Sequence, residues 1–171
     1  SGLHANGASL ARSVAAELGD GYGTLLPSGR SLGEALLDRS LIYCSLVRSL
    51  LSGQAGIHYL SHITGHGLLK LMRPRRELGY VIGELPPVPE VLEFLVAHAR
   101  LSASAAYSTF NMGCGFAVYC AAGAGDEVVR LAAAQGLTAL VAGRVEEGPR
   151  RVVLEPLDVV FQSEDLDLGP G

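Results

Sequence analysis

The chain has 171 residues, of which 49% are hydrophobic, and its formal net charge is −4. This length suffices for one sizeable core and predicts a single domain over residues 1–162, followed by an acidic flexible tail over 163–171. The negative charge argues against a nucleic acid as the main partner. No apolar run reaches the roughly 18 residues that a transmembrane helix needs, so we predict a cytoplasmic protein without a membrane partner.

The first third of the chain predicts helices, because apolar residues recur there at intervals of three and four. These helices are expected over about 8–18, 32–37 and 42–51, the first with Asn6 or Gly7 at its cap. The pattern then changes to a short strand over 57–63, which leads into the turn 64–67. A helix is expected to start at that turn and to end before Pro74.

The rest of the chain alternates helices and strands. Helices are expected over 89–98, 103–109 and 126–135, and strands over 78–82, 115–121, 137–145 and 151–154. The continuous apolar run 115–121 predicts a central strand buried on both faces. The last two strands are predicted to pair around the turn 146–149. This order predicts an α+β fold with a mixed sheet of about four to five strands covered by helices.

Three short segments place polar side chains beside glycines. They are 2–7 with His4 and Asn6, 62–67 with His62 and Thr64, and 110–115 with Asn111 and Gly113. A Thr-Gly-X-Gly turn before a helix exposes backbone N–H groups and the positive end of the helix dipole, which is an arrangement that holds phosphate. His62 and Thr64 lie two apart on an extended segment and are expected to point to the same side.

Each turn also has a structural interpretation. Thr64 would cap the following helix, and His62 would be a hydrogen-bonded core residue. Asn6 would cap the first helix, and Asn111 would be a turn residue that tolerates a left-handed backbone. A further pattern is the spacing of four between His58, His62 and His66, which on a helix would be typical of a metal site. Because the segment predicts a strand and then a turn, the three imidazoles would not share one face, and we predict no metal ligands.

In this order and spacing, the segments resemble the C-terminal domain of aminoimidazole ribonucleotide synthetase, also called phosphoribosylformylglycinamidine cyclo-ligase. The resemblance covers nearly the whole chain. It rests on Gly-Leu-His-Ala-Asn-Gly at 2–7, Leu-Leu at 36–37 with Ile-Tyr at 42–43, His-Ile-Thr-Gly at 62–65, Phe-Asn-Met-Gly at 110–113 and Gly-Arg-Val at 143–145. We therefore expect the chain to be the C-terminal part of a longer protein.

The resemblance implies an ATP-dependent ring closure. The formyl oxygen of formylglycinamidine ribonucleotide would be activated by phosphoryl transfer, and an amidine nitrogen would then close the imidazole. The site residues implied are His62 and Thr64 for catalysis, with His4, Asn6, Gly65, His66, Gly67, Asn111 and Gly113 for binding the phosphorylated substrate. ATP and Mg are expected mainly through an N-terminal domain that this chain lacks and that would form a homodimer in the full-length protein. The isolated chain is expected to be inactive.

The sequence also departs from the family pattern. Ala5 stands where the family often has Ser, residues 38–40 replace its usual Pro-Thr approach to Ile-Tyr, and His66 occupies a position that is commonly Gly. A side chain at His66 would either narrow a phosphate pocket or add a donor to it. Two alternatives to the cyclo-ligase therefore stay open. One is a non-catalytic or divergent paralogue that binds another phosphorylated small molecule or a partner domain, and the other is a superfamily enzyme with another small substrate.

Overall fold

A computed structural model describes residues 2–4, 7–53 and 55–166. Within them, α-helices lie at Ala8–Glu17 (α1), Leu32–Leu36 (α2), Cys44–Ser52 (α3), Glu90–His98 (α4), Ala103–Thr109 (α5) and Gly125–Ala133 (α6). Strands lie at Ile57–His62 (β1), Leu78–Ile82 (β2), Phe116–Cys120 (β3), Gly143–Glu147 (β4), Arg151–Leu154 (β5) and Val159–Gln162 (β6). Short 3-10 helices lie at Gly21–Gly23, Gly67–Met72, Glu155–Leu157 and Ser163–Asp165.

The predicted α+β class is confirmed. The strand 78–82 and the helix 103–109 have the predicted bounds, and the other predicted helices begin and end within a few residues of theirs. The helix that begins at the turn 64–67 is a 3-10 helix. Gly7 stands at the cap of α1, whereas Asn6 lies outside the described residues. None of the described helices is long and apolar enough to span a membrane.

The larger sheet is a four-stranded mixed sheet with the order β4-β2-β5-β6, in which β2 and β5 are the interior strands. β2 is antiparallel to β4 and parallel to β5, and β6 is antiparallel to β5. The predicted pairing of the last two strands around the turn 146–149 is therefore wrong. Tyr80 and Val81 of β2 are buried, and the apolar β2 lies between the two strands that the sequence would join. The strand β6 was not predicted.

A second, two-stranded antiparallel sheet pairs β1 with β3. The prediction that 115–121 is a central strand is wrong, because among the described residues β3 pairs with β1 alone and all its residues are half-buried. Its continuous apolar character has a different cause. Ala117 and Tyr119 pack on the main core, while Val118 and Cys120 pack on a smaller core formed with α3 and α6. The strand is therefore apolar throughout because its alternate side chains pack on two different cores.

The main core joins the helices α1, α2, α4 and α5 to the four-stranded sheet. Its fully buried side chains include Leu92 of α4 and Val152 of β5. It continues past the predicted domain end at 162, because Leu166 is buried in the same cluster after the last 3-10 helix. The glycine-flanked turns described below lie on the edge of this core, so their positions depend on its packing.

Leu92→Ala should lower the free energy of unfolding by about 2–5 kcal/mol, because it leaves a cavity in a site that has no solvent exposure. Leu37→Ala is the matched control, since Leu37 is 83% exposed, and should change stability by less than about 0.5 kcal/mol. Urea unfolding followed by circular dichroism measures both values. Equal losses in the two variants would contradict this assignment of the core.

Candidate functional site

Two long-range hydrogen bonds join the three glycine-flanked segments. His4 Nδ1 donates to the carbonyl oxygen of Ile63 at 3.1 Å, which links the first segment to the second. Asn111 Nδ2 donates to the carbonyl oxygen of Gly2 at 2.9 Å, which links the third segment to the first. His4 and Asn111 are both buried. Residues that are far apart in the sequence therefore converge on one place.

The third link is a close backbone contact at Gly67. The residue has a left-handed backbone with φ 48°. A Cβ atom added there would overlap the carbonyl oxygen of Tyr107 and lie 2.5 Å from that of Phe110. Only glycine lets the turn 64–67 approach the end of α5 this closely. The contact fixes the second segment against the third.

Asn111 also shapes its own turn. Its Oδ1 accepts a hydrogen bond from the N–H of Gly113 at 2.8 Å. Met112 and Gly113 both have left-handed backbones, with φ 46° and 93°. A Cβ at Gly113 would lie 2.5 Å from the carbonyl oxygen of Pro87. Because both ends of the Asn111 amide bind backbone atoms, the side chain holds the turn in shape.

His62 carries an exposed imidazole at the end of β1. Its ring centroid lies 5.4 Å from that of His4, 5.8 Å from that of Tyr43 and 6.3 Å from that of Phe116. His62 is thus accessible to solvent along one side and supported by rings on the other. The structural interpretation of His62 as a core residue does not fit this exposure.

Thr64 lies next to His62 on the open side of the molecule. Ile63 between them is fully buried, whereas His62 is exposed and Thr64 half-buried. This alternation is what the two-residue period of an extended chain gives when both polar residues face the same side. The pair therefore offers an imidazole and a hydroxyl to one region of the surface.

Lys70 is a further residue at this place that the sequence prediction missed. Its Nζ donates a hydrogen bond to Thr64 Oγ1. Thr64 does not cap the 3-10 helix, because His66 stands at the cap position and no side chain there bonds the backbone. The signal in the sequence was a single charged residue inside the apolar run 67–72.

Burial controls the charge of His4. Removal from solvent lowers its pKa below the ordinary value of 6.5, and this outweighs the opposing effect of the bond to the Ile63 carbonyl. The neighbouring His62 lowers the pKa further. His4 is therefore neutral near pH 7, with the proton on Nδ1, where the carbonyl of Ile63 accepts it.

The other predicted site residues differ in their exposure to solvent. His66 is exposed with a left-handed backbone of φ 69°, and Gly65 is half-buried. Gly67 is buried beneath α5. Asn6 lies outside the described residues. No three His, Cys, Asp or Glu side chains come together as metal ligands in the described part of the chain.

An open cleft of about 470 Å³ adjoins the first segment at Gly2. It is lined by Gly2 and by charged side chains from the region of α2 and α4, namely Arg30, Asp38, Arg39 and Glu90. Arg30 is occupied there by an ion pair of 2.6 Å with Asp38. Neither His62 nor Thr64 lines this cleft. The imidazole of His62 and the hydroxyl of Thr64 lie on open surface instead.

Comparison with known proteins identifies a match to most of the chain. The family model described as AIR synthase related protein, C-terminal domain, matches residues 1–155. The phosphoribosylformylglycinamidine cyclo-ligase of Methanothermobacter thermautotrophicus is 36% identical over 157 residues, which are 91% of this chain and 45% of that protein. The protein with the same name from Methanococcus vannielii is 31% identical over 148 residues, 86% of this chain and 42% of its own length. The chain thus spans less than half the length of these relatives.

Gly67→Ala should destabilise the protein by about 2–5 kcal/mol, because it adds backbone strain and a steric clash with α5. Gly123→Ala is the matched control. Gly123 also has a left-handed backbone, with φ 81°, but a Cβ there meets no atom within 4 Å, so it should cost only about 1–2 kcal/mol. Chemical denaturation of both variants measures the difference, and equal costs would argue against the close contact.

Protonation of His4 should destabilise the folded state. Its pKa is below 6.5 in the folded protein and near 6.5 in the unfolded chain, so the unfolded chain binds more protons between these values. The contribution of His4 to stability is thus fully present above pH 6.5 and is lost as the pH falls through the folded pKa. Unfolding measured from pH 7.5 to 5 should show a steeper loss for wild type than for His4→Asn, and parallel curves would contradict the prediction.

Proposed function

The chain belongs to the family of AIR synthase related proteins, whose C-terminal domain it matches over residues 1–155, and from this we propose that it forms the substrate side of an ATP-dependent cyclo-ligase of purine biosynthesis. The observation that carries the proposal is the joining of the three glycine-flanked segments around His62 and Thr64. Relatives named for this activity share 31–36% of their residues with the chain over the matched regions.

The proposed reaction converts formylglycinamidine ribonucleotide and ATP to aminoimidazole ribonucleotide, ADP, phosphate and a proton. The formyl oxygen takes the γ-phosphoryl group as ADP leaves. The amidine nitrogen then bonds the activated carbon, the C–O bond breaks, and phosphate departs with the oxygen. In this proposal His62 accepts the proton that the nitrogen loses, and the exposure of its imidazole and its contacts with neighbouring rings support that role.

Within this proposal the buried and exposed polar residues have different roles. His4 and Asn111 are positioning residues, because their hydrogen bonds go to backbone atoms of the neighbouring segments. Thr64, Gly65 and His66 lie at the accessible turn and contact the substrate. Gly67 and Gly113 act through the backbone shape of their turns.

The remaining parts of the reaction need groups beyond this chain. The described residues bring together no donor set that fits a metal ion, so no step of the mechanism here passes through one. We propose that an N-terminal domain of the complete enzyme supplies most of the site for ATP and Mg and the contacts of a cytoplasmic homodimer. The isolated chain would then be inactive, which agrees with its covering 42–48% of the length of the relatives.

A second candidate is a related protein that acts on or binds another phosphorylated small molecule. His66 favours it, because an exposed imidazole occupies a left-handed position that suits glycine. This side chain projects from the turn that would hold the ligand and changes its shape and donors. Competition between formylglycinamidine ribonucleotide and other phosphorylated compounds separates the two candidates.

Turnover by the full-length native protein tests the proposal. With formylglycinamidine ribonucleotide, ATP and magnesium, the aminoimidazole product and ADP should form in equal amounts. His62→Ala should lower kcat by about 10²–10⁴-fold, because it removes a general acid–base group. His58→Ala is the matched control, since His58 is an exposed histidine of the same strand outside the site.

The thermal unfolding of both variants should match that of wild type, so that a loss of turnover reports on chemistry. Full activity in His62→Ala would contradict the assignment of His62. A folded full-length protein without turnover would contradict the cyclo-ligase and favour the second candidate.

A further inference from the structure

The anion site predicted at the turn 64–67 needs a source of positive charge. A long α-helix starting at the turn would supply it through its dipole. The structure has only the short 3-10 helix Gly67–Met72 at this place, and its cap residue His66 has a left-handed backbone. The peptide groups of a 3-10 helix of two turns are poorly aligned, so the dipole of this helix is weak. The charge must come from a side chain.

We propose that Lys70 binds the phosphoryl group of the ligand together with Thr64 and the backbone of Gly65. Its ammonium already contacts the Thr64 hydroxyl on the turn. The other five residues of the 3-10 helix are buried, and Lys70 is the one that reaches the surface. The identity of the phosphoryl group, from the ribonucleotide or from ATP, rests on the proposed function.

In the described part of the chain, Lys70 forms no ion pair with an acidic side chain. The ion pairs of the described residues involve Arg30, Arg130 and Arg144. Partial burial lowers the pKa of Lys70, and the charge of Arg73 lowers it further. A half-buried ammonium without a counter-ion is costly, and a bound phosphoryl group would offset that cost.

Side chains from three other segments bind the backbone carbonyls of Lys70 and of the two residues after it. The Lys70 carbonyl accepts from Ser61 Oγ at 3.4 Å, that of Leu71 from Tyr119 Oη at 2.7 Å and that of Met72 from Arg150 Nε at 2.8 Å. Such bonds satisfy the carbonyls at the end of a helix. They fix the position from which the flexible side chain of Lys70 extends, so its ammonium is presented to the turn in advance of binding.

Calorimetric titration of the full-length protein with two probes tests the inference. Ribose 5-phosphate represents the phosphate of the ribonucleotide, and tripolyphosphate represents the transferred group of ATP. Lys70→Met should weaken the binding of one probe by about 10- to 100-fold. Arg73→Met removes the same charge from an exposed residue nearby and should change binding by less than about fivefold. Lys70→Arg should retain most of the binding that Lys70→Met loses.

The affected probe identifies the source of the phosphoryl group. A loss for ribose 5-phosphate predicts a raised KM for the ribonucleotide with kcat retained, and a loss for tripolyphosphate predicts a lowered kcat. Unchanged binding of both probes in folded Lys70→Met overturns the inference even where wild type turns over the ribonucleotide. Lys70-dependent binding without such turnover supports it and rejects the cyclo-ligase instead.

A measurement on wild type keeps the test independent of the folding of variants. The side-chain NMR signals of Lys70 should shift as the added probe saturates the protein. Signals of Lys70 that stay constant throughout the titration overturn the inference.

Discussion

The site depends on the contact between Gly67 and the end of α5. The carbonyls of Tyr107 and Phe110 occupy the space that any side chain at position 67 would need. Helix α5 leads directly into the turn that carries Asn111, so this contact sets the distance between two of the three segments. The bonds from His4 to Ile63 and from Asn111 to Gly2 then close a ring of contacts. Each link is short and at least partly buried, and together they turn three separate segments into one rigid support.

The local geometry also decides how an anion can be held. His66 has a left-handed backbone and is followed by a 3-10 helix, so the chain reverses direction sharply at this turn. The turn therefore exposes few aligned N–H groups. In the proposed anion site, the positive charge of Lys70 takes the place of a helix dipole. The three side chains that bind the last carbonyls of the helix come from β1, β3 and the residue just before β5. Both sheets therefore contribute to the placement of one lysine.

Local signals in the sequence predicted much of the fold. Helix α5 and strand β2 have the predicted bounds because their apolar pattern and flanking breakers lie within a few residues. The pairing of β4 with β2 and of β2 with β5 was not predictable, since β2 joins them from more than sixty residues earlier in the chain. In the site too, local sequence predicts which residues are candidates but not their long-range contacts. His62 and Asn111 both stand near glycines, yet Asn111 is buried because its partner is Gly2, 109 residues away.

The neighbouring histidines His4 and His62 have opposite environments, because His4 is buried and His62 is exposed to solvent. Burial keeps His4 neutral, with its proton directed to the Ile63 carbonyl. A neutral ring 5.4 Å from His62 supports it without placing a positive charge beside it. Because burial disfavours a charge on His4, its hydrogen bond to the Ile63 carbonyl is kept and joins the segments 2–4 and 62–67. The buried imidazole of His4 therefore fixes the position of the exposed ring of His62 through the hydrogen bond to the Ile63 carbonyl.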